Sequence, residues 1–193
     1  ESLIYMIKEL KKMGAKLLLD ASALIPEILE SISGTNTIVT PHFGEYKRLF
    51  QKEENYKDIT EMTTTVNLQE QTLNAYNLAK KYGITIILKG YNNIICNGSQ
   101  PQKQQEKDED IAVIRRTTPA MTVGGCGDVL SGVVAGLLTK MQDNFSASIA
   151  GVYLCGIAGS LAYQRVGLHM VATDLIEELP NAMKPFDKIN SKP

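Results

Sequence analysis

The residues best able to do chemistry are Thr122-Val123-Gly124-Gly125-Cys126-Gly127-Asp128-Val129-Leu130-Ser131-Gly132. Glycine tolerates positive φ and lets the backbone come close to a ligand. The helix-periodic residues that follow supply a helix start, whose unpaired N–H groups and positive dipole end attract anions. Gly124, Gly125 and Gly127 therefore form a candidate phosphate cradle. The spacing is neither G-x-x-x-x-G-K-[ST] nor G-x-G-x-x-G, which excludes the two commonest nucleotide loops. Asp128 stands at its mouth, where a carboxylate could take a proton from a hydroxyl attacking a phosphate. The alternative is that Asp128 favours a helix N-terminus and the glycines make a turn.

Two further segments carry candidates. Thr40-Pro41-His42-Phe43-Gly44-Glu45 follows a strand pattern and precedes a helix. His42 there is either a hydrogen-bonding group for a ligand or a turn residue. Lys89-Gly90-Tyr91-Asn92-Asn93 ends another strand. Lys89 is either a partner for phosphate or a solvated strand end. Loops after parallel strands converge on one sheet edge, where the ligands of such sheets bind.

The elements that must position these groups are legible as short apolar runs between helical stretches. Residues 2–13 read as an amphipathic helix stopped by Gly14. Leu17-Leu18-Leu19-Asp20 is an apolar run without alternation, ending in an acid, as in a strand covered on both faces. Strands follow at 37–40, 84–89, 93–96, with Asn97-Gly98 as its turn, and 111–114. Helices are expected at 66–82, 127–141, 144–165 and 171–183, and the polar stretch 100–110 reads as a surface loop. Strands alternating with helices imply an α/β layered fold with a largely parallel sheet flanked by helices. The 193 residues make one domain, 1–185, with a frayed tail at 186–193.

Composition removes several classes. Lys and Arg number 20 against 21 Asp and Glu, so the net charge of −1 leaves no basic footprint for nucleic acid. No uninterrupted apolar run reaches a membrane span of about 20 residues. Two His and three scattered Cys argue against a metal site, and the odd, sparse Cys count points to a reducing, cytoplasmic setting.

Taken in order, Thr40-Pro41-His42-x-Gly44-Glu45, Lys89-Gly90, Pro119-Ala120-Met121-Thr122-Val123-Gly124-Gly125-x-Gly127-Asp128-Val129-Leu130-Ser131-Gly132, Gly156-x-Ala158-Gly159 and Ala172-Thr173-Asp174-Leu175-Ile176-Glu177-Glu178-Leu179-Pro180 resemble the ADP/ATP-dependent NAD(P)H-hydrate dehydratases of ribokinase-like fold. The resemblance runs from about residue 4 to residue 183. It implies that Asp128 is the catalytic residue beside the hydrated nicotinamide and that His42 binds substrate. It places Lys89, Gly90, Tyr91, Asn92, Asn93 and Gly127 against the nucleotide. The implied reaction phosphorylates the C6 hydroxyl of hydrated NADH or NADPH with ADP or ATP, with Mg2+ offsetting phosphate charge, and then eliminates phosphate. A homo-oligomer, such as a tetramer, is implied as well.

Three positions depart from the family pattern. Cys126 replaces a Thr, Ser22 replaces the second acid of an Asp-Ala-Asp segment, and Thr118-Pro119-Ala120 replaces Asn-Pro-Gly. The family has roughly a hundred further residues ahead of the first helix seen here, so residues preceding Glu1 are expected to belong to the native fold. The rival readings are a vitamin-precursor kinase of the same fold and a non-catalytic nucleotide-binding domain.

Overall fold

The apolar runs assemble into one five-stranded sheet of order β1-β2-β3-β4-β5, seen in a computed structural model that describes residues 2–53, 68–99, 110–115 and 118–187. The strands are β1 (Leu18–Leu19), β2 (Ile38–Val39), β3 (Thr85–Leu88), β4 (Asn92–Asn97) and β5 (Ile111–Arg115). β1, β2 and β3 are parallel, with Leu18 beside Ile38 and Ile38 beside Thr85. β3–β4 and β4–β5 are antiparallel. The sheet is thus mixed where a largely parallel one was expected. Parallel neighbours need a long crossover, whereas β3 reaches β4 through Lys89-Gly90-Tyr91 alone and returns as a hairpin.

Alternation along the strands divides the core into two layers. Val39, Ile86, Leu88 and Ile94 face one side, packed with Ile7, Ile32, Tyr46, Phe50 and Leu78. Ile38, Ile87 and Ile95 face the other, packed with Leu130, Val134 and Val152. The first face is covered by α1 (Ser2–Lys12), α2 (Leu29–Ile32), α3 (Phe43–Phe50) and α4 (Leu68–Tyr82), and the second by α5 (Cys126–Leu138) and α6 (Asn144–Val166). A further cluster, including Ala158, Ala162 and Leu175, joins α6 to α7 (Ala172–Met183). This is the three-layer α/β architecture expected from the sequence.

Gly14 has φ +70° beyond the end of α1, as its place after the apolar pattern predicts. Gly98 has a different reason: a Cβ there would lie 1.8 Å from the Ala79 carbonyl oxygen, so the exit of β4 passes α4 too closely for any side chain. α6 is long and apolar enough to cross a membrane by length and composition, although no uninterrupted apolar run suggested a span. Its Ala147, Gly151, Val152, Cys155, Ala158 and Ala162 are buried instead, against α5, α7 and the sheet, so the composition is that of a core helix. The loop expected over 100–110 lies outside the described residues except for Asp110. So does the expected tail beyond Asp187.

Candidate active site

Four segments meet at the carboxyl edge of the parallel strands, because β1, β2 and β3 all end there. β2 runs into Thr40-Pro41-His42 and then α3. His42 caps α3: its Nδ1 accepts from the Gly44 and Glu45 N–H groups at 3.0 and 3.3 Å. The Glu45 carboxylate accepts from the His42 N–H at 2.8 Å. This is a reciprocal capping box with imidazole in the usual place of a hydroxyl. His42 is therefore a turn residue, and its exposed ring is still open to a ligand through Nε2. Nε2 lies 3.4 Å from Glu45 Oε1.

The Lys89 N–H donates to the Pro41 carbonyl at 2.8 Å, and His42 and Lys89 pair as one further parallel bridge beyond β2 and β3. That register places the Lys89 side chain beside the α3 cap. Its Nζ donates to Asp20 Oδ1 at 2.8 Å and lies 3.7 Å from Glu45 Oε2. Asp20 ends β1, so this ion pair straddles the end of β2. Ser131 Oγ in α5 donates to Asp20 Oδ2 at 2.6 Å and meets Thr40 Oγ1 at 3.2 Å. The Ala21 N–H donates to Asp20 Oδ1 at 2.8 Å, from a residue held in the left-handed region at φ +53°. Arg48 fastens that turn by donating to the Ala21 and Leu24 carbonyls. Burial pushes the Asp20 carboxyl up, but the hydrogen bonds from Lys89 and Ser131, the Lys89 charge and the Ala21 N–H outweigh it. The carboxyl lies below its ordinary range.

α5 begins without a side-chain cap, because its capping residue is Gly125 at φ +89°. A Cβ on Gly125 would stand 2.9 Å from the Ala172 Cβ, so both conformation and space require glycine there. A Cβ on Gly127 would stand 3.3 Å from Lys89 Nζ. The ammonium thus lies over the first turn of α5 at Gly127, and the following residue, Asp128, is exposed. Gly124 faces open space.

A cavity of about 70 Å³ lies here, lined in part by Lys89, Asn93, Arg115, Cys126, Gly127 and Gly156. The structure brings Lys89, Asn93 and Gly127 together around it. Gly90 donates to Asn93 Oδ1 at 3.4 Å and turns the hairpin against Phe43. Asn92 opens β4. The exposed Tyr91 lies outside the cavity lining and stacks with Arg115, whose guanidinium carbon is 4.8 Å from the ring centroid. A larger apolar groove of about 290 Å³ between α5, α6 and the end of α7 contains none of the motif residues.

Among the family departures, Cys126 opens α5 and is buried at the cavity. Ser22 is exposed. Thr118 caps the turn Pro119–Thr122 by accepting from the Ala120 N–H at 3.2 Å. Sequence reasoning passed over Asp20, Glu45, Ser131 and Arg115 as site residues. The acid ending the first apolar run was a signal for Asp20, and the one-turn spacing of Ser131 from Asp128 a weaker one for Ser131. Nothing in the spacing marked Glu45 or Arg115.

Comparison with known proteins decides the family. The family model described as NAD(P)H-hydrate dehydratase matches residues 2–181. The chain belongs to the NAD(P)H-hydrate dehydratase family. It is 43% identical over 189 residues to the ADP-dependent (S)-NAD(P)H-hydrate dehydratase of Nitrosopumilus maritimus, covering 97% of this chain and 58% of that relative. The ADP/ATP-dependent NAD(P)H-hydrate dehydratase of Bacillus subtilis, co-crystallised with ATP/Mg2+, is 25% identical with a TM-score of 0.66, over 90% of this chain and 56% of that one. A ribokinase-like superfamily protein of Enterococcus faecalis shares the fold, with a TM-score of 0.68 at 21% identity over 97% of this chain and 59% of that one. The chain therefore spans a little over half the length of these relatives.

Proposed function

We propose that the full natural protein dehydrates NADH or NADPH hydrated at C6 of the nicotinamide, at the expense of ADP or ATP. The observation that carries this is the placement of the Lys89 ammonium over Gly127, one residue before Asp128, at an uncapped helix start. It gives a cation and backbone donors around one point, with Asp128 on the same first turn of α5. The Asp128 carboxylate takes the proton of the C6 hydroxyl as that oxygen attacks the terminal phosphoryl group of the nucleotide. The first N–H groups of α5 and the Lys89 ammonium receive the charge on the phosphoryl oxygens. The ring nitrogen's electron pair then expels the new phosphate from C6, a proton leaves C5, and the dihydropyridine is restored. In this reading His42 Nε2 holds the substrate, and Gly90, Tyr91, Asn92 and Asn93 hold the nucleotide.

Magnesium fits this site as a companion of the nucleotide. Among the described residues no three His, Cys, Asp or Glu gather into a cage, and Mg2+ commonly binds through phosphates with one or two carboxylates. The ion would be held mainly by the nucleotide's own phosphate oxygens and would offset phosphate charge there. A cytoplasmic homo-oligomer acting on free cofactor is the setting we propose.

The test supplies hydrated NADH, ADP or ATP and Mg2+ to the full natural protein and follows the return of dihydronicotinamide absorbance together with free phosphate. Equal yields of NADH and phosphate are expected. A stable phosphorylated product would make it a kinase, and nucleotide binding without turnover would make it a binding domain.

A further inference from the structure

The Lys89 ammonium occupies an electrostatically awkward place. It lies over the first turn of α5, where the dipole is positive and a cation is disfavoured. Two carboxylates, Asp20 and Glu45, offset this, but they do so unequally. Only Asp20 accepts a hydrogen bond, at 2.8 Å, while Glu45 at 3.7 Å contributes charge alone. Asp20 is itself aimed from two further sides, by Ala21 N–H and by Ser131 Oγ, which in turn meets Thr40. The turn that carries it is fastened by Arg48. Such a fixed carboxylate does more than neutralise a lysine, because any loose acid could do that. It fixes where the ammonium sits.

An ammonium has three donors, and among the described residues one is used, by Asp20. The other two remain for an oxyanion arriving at the α5 start. We propose that Asp20 is the positioning residue that holds Lys89 over Gly127 as a preformed recognition element for a nucleotide phosphate. This rests on the nucleotide reading given above and adds to it a residue that never touches the ligand. Asp20, Ser131 and Lys89 then act as one unit, so their losses must not add.

The experiment measures ADP–Mg2+ affinity by calorimetry in the full natural protein for wild type, Asp20→Asn, Lys89→Met, the double variant and Asp20→Glu. Labelling of the Lys89 amine by an acylating reagent is followed in parallel by mass spectrometry. Asp20→Asn is expected to weaken ADP about tenfold, the scale of one hydrogen bond to a charged group. Lys89→Met should weaken it at least as much, the double variant no further, and Asp20→Glu should recover most of the loss. Lys89 labelling should rise severalfold in Asp20→Asn and stay near wild type in Asp20→Glu. If Asp20→Asn does not fold, Ser131→Ala replaces it, with a smaller loss that disappears in the Lys89→Met background.

Additive losses, unchanged labelling, or a shift in Mg2+ half-saturation confined to the Asp20 variants would overturn the proposal; the last would make Asp20 a partner of the metal. Wild type that binds no ADP while Lys89 labelling still depends on Asp20 would sink the nucleotide reading and leave the positioning pair standing.

Discussion

Two cations in this molecule are each surrounded by carboxylates, and they differ in what they leave over. Arg165, at the end of α6, donates from Nη2 to Asp174 and Glu177 and from Nε to Glu178, at 2.8 to 3.0 Å. Asp174 also accepts from the Val171 N–H before α7, and Glu178 from Asn181. That cluster is closed on itself and half-exposed, and it fastens α6 to α7. Lys89 is 12% exposed and, among the described residues, donates to one acid and lies over a helix start that no side chain caps. A cation with three bound acids on a helix pair is a fastener. A nearly buried cation with donors left over, above a bare helix start, is arranged for an incoming anion.

The largest effect should come from a residue that fastens nothing among the described residues. Asp128 is exposed on the first turn of α5, so Asp128→Asn should leave the thermal unfolding curve in place. Turnover of hydrated NADH should fall about 100- to 10,000-fold, the contribution of a general base. Activity within about threefold of wild type would remove Asp128 from the mechanism and leave only its helix-start role.

The comparison itself is tested by Lys89→Met against Arg165→Met. Lys89→Met leaves the mostly buried Asp20 and Glu45 without their cation, although each keeps other hydrogen bonds, which should cost about 1–3 kcal/mol of stability, below the full range for deeply buried pairs. Nucleotide binding should weaken at least about tenfold. Arg165→Met should lower the melting temperature by less and leave turnover and nucleotide affinity unchanged. Equal kinetic damage from both, read by steady-state assay, would erase the distinction between fastener and recognition element.

How much of this was legible in the sequence follows from the range of the interactions. The strand runs, the helices and the glycine loop are local patterns, and the structure has them within a few residues of their expected ends. The antiparallel turn of β4 and β5 was implicit in the lack of a helix between residues 89 and 111, yet strand composition alone says nothing of direction. Lys89 and Gly127 could be named as candidates from their own motifs. That they face one another depends on β2–β3 register, which no local pattern encodes. Asp20 and Ser131 stand 111 positions apart and meet at 2.6 Å. Glu45 was read as part of a motif, but its effect on Lys89 comes from the capping box that folds it back.

Acid should separate the two clusters further. The Asp20 carboxyl lies below its ordinary value of 3.8 in the folded protein. Between the folded and unfolded values the unfolded state binds more protons, so stability rises with pH there. The contribution is whole above about pH 4 and is lost as pH falls through the folded value. Urea midpoints between about pH 2 and pH 5 should therefore fall more steeply on acidification in wild type than in Asp20→Asn. Glu178, also lowered by Asn181 and then Arg165, should contribute a separate portion. Arg165→Met reduces that portion, while Lys89→Met reduces the one from Asp20. A single variant that flattened the whole acid limb would mean that the clusters titrate as one.

The smallest effect concerns Cys126, which opens α5 and lines the cavity with Lys89 and Gly127. Its thiol is a weak donor where a threonine hydroxyl would be a firmer one. A neutral hydrogen bond is worth about 0.5–1.5 kcal/mol net, so Cys126→Thr should tighten ADP binding roughly threefold to tenfold. The same residue also neighbours Cys155, whose thiol burial and Cys126 together push up to about 12. A side chain turned toward that interior would bury the new hydroxyl against the α5–α6 packing, and stability would fall without any gain in affinity. Calorimetry and a thermal melt on one sample therefore read the direction of the side chain. Tighter binding with the melting curve held places position 126 in the recognition element with Lys89. Unchanged affinity with a lower melting temperature places it with the packing that, like Arg165, only holds helices together.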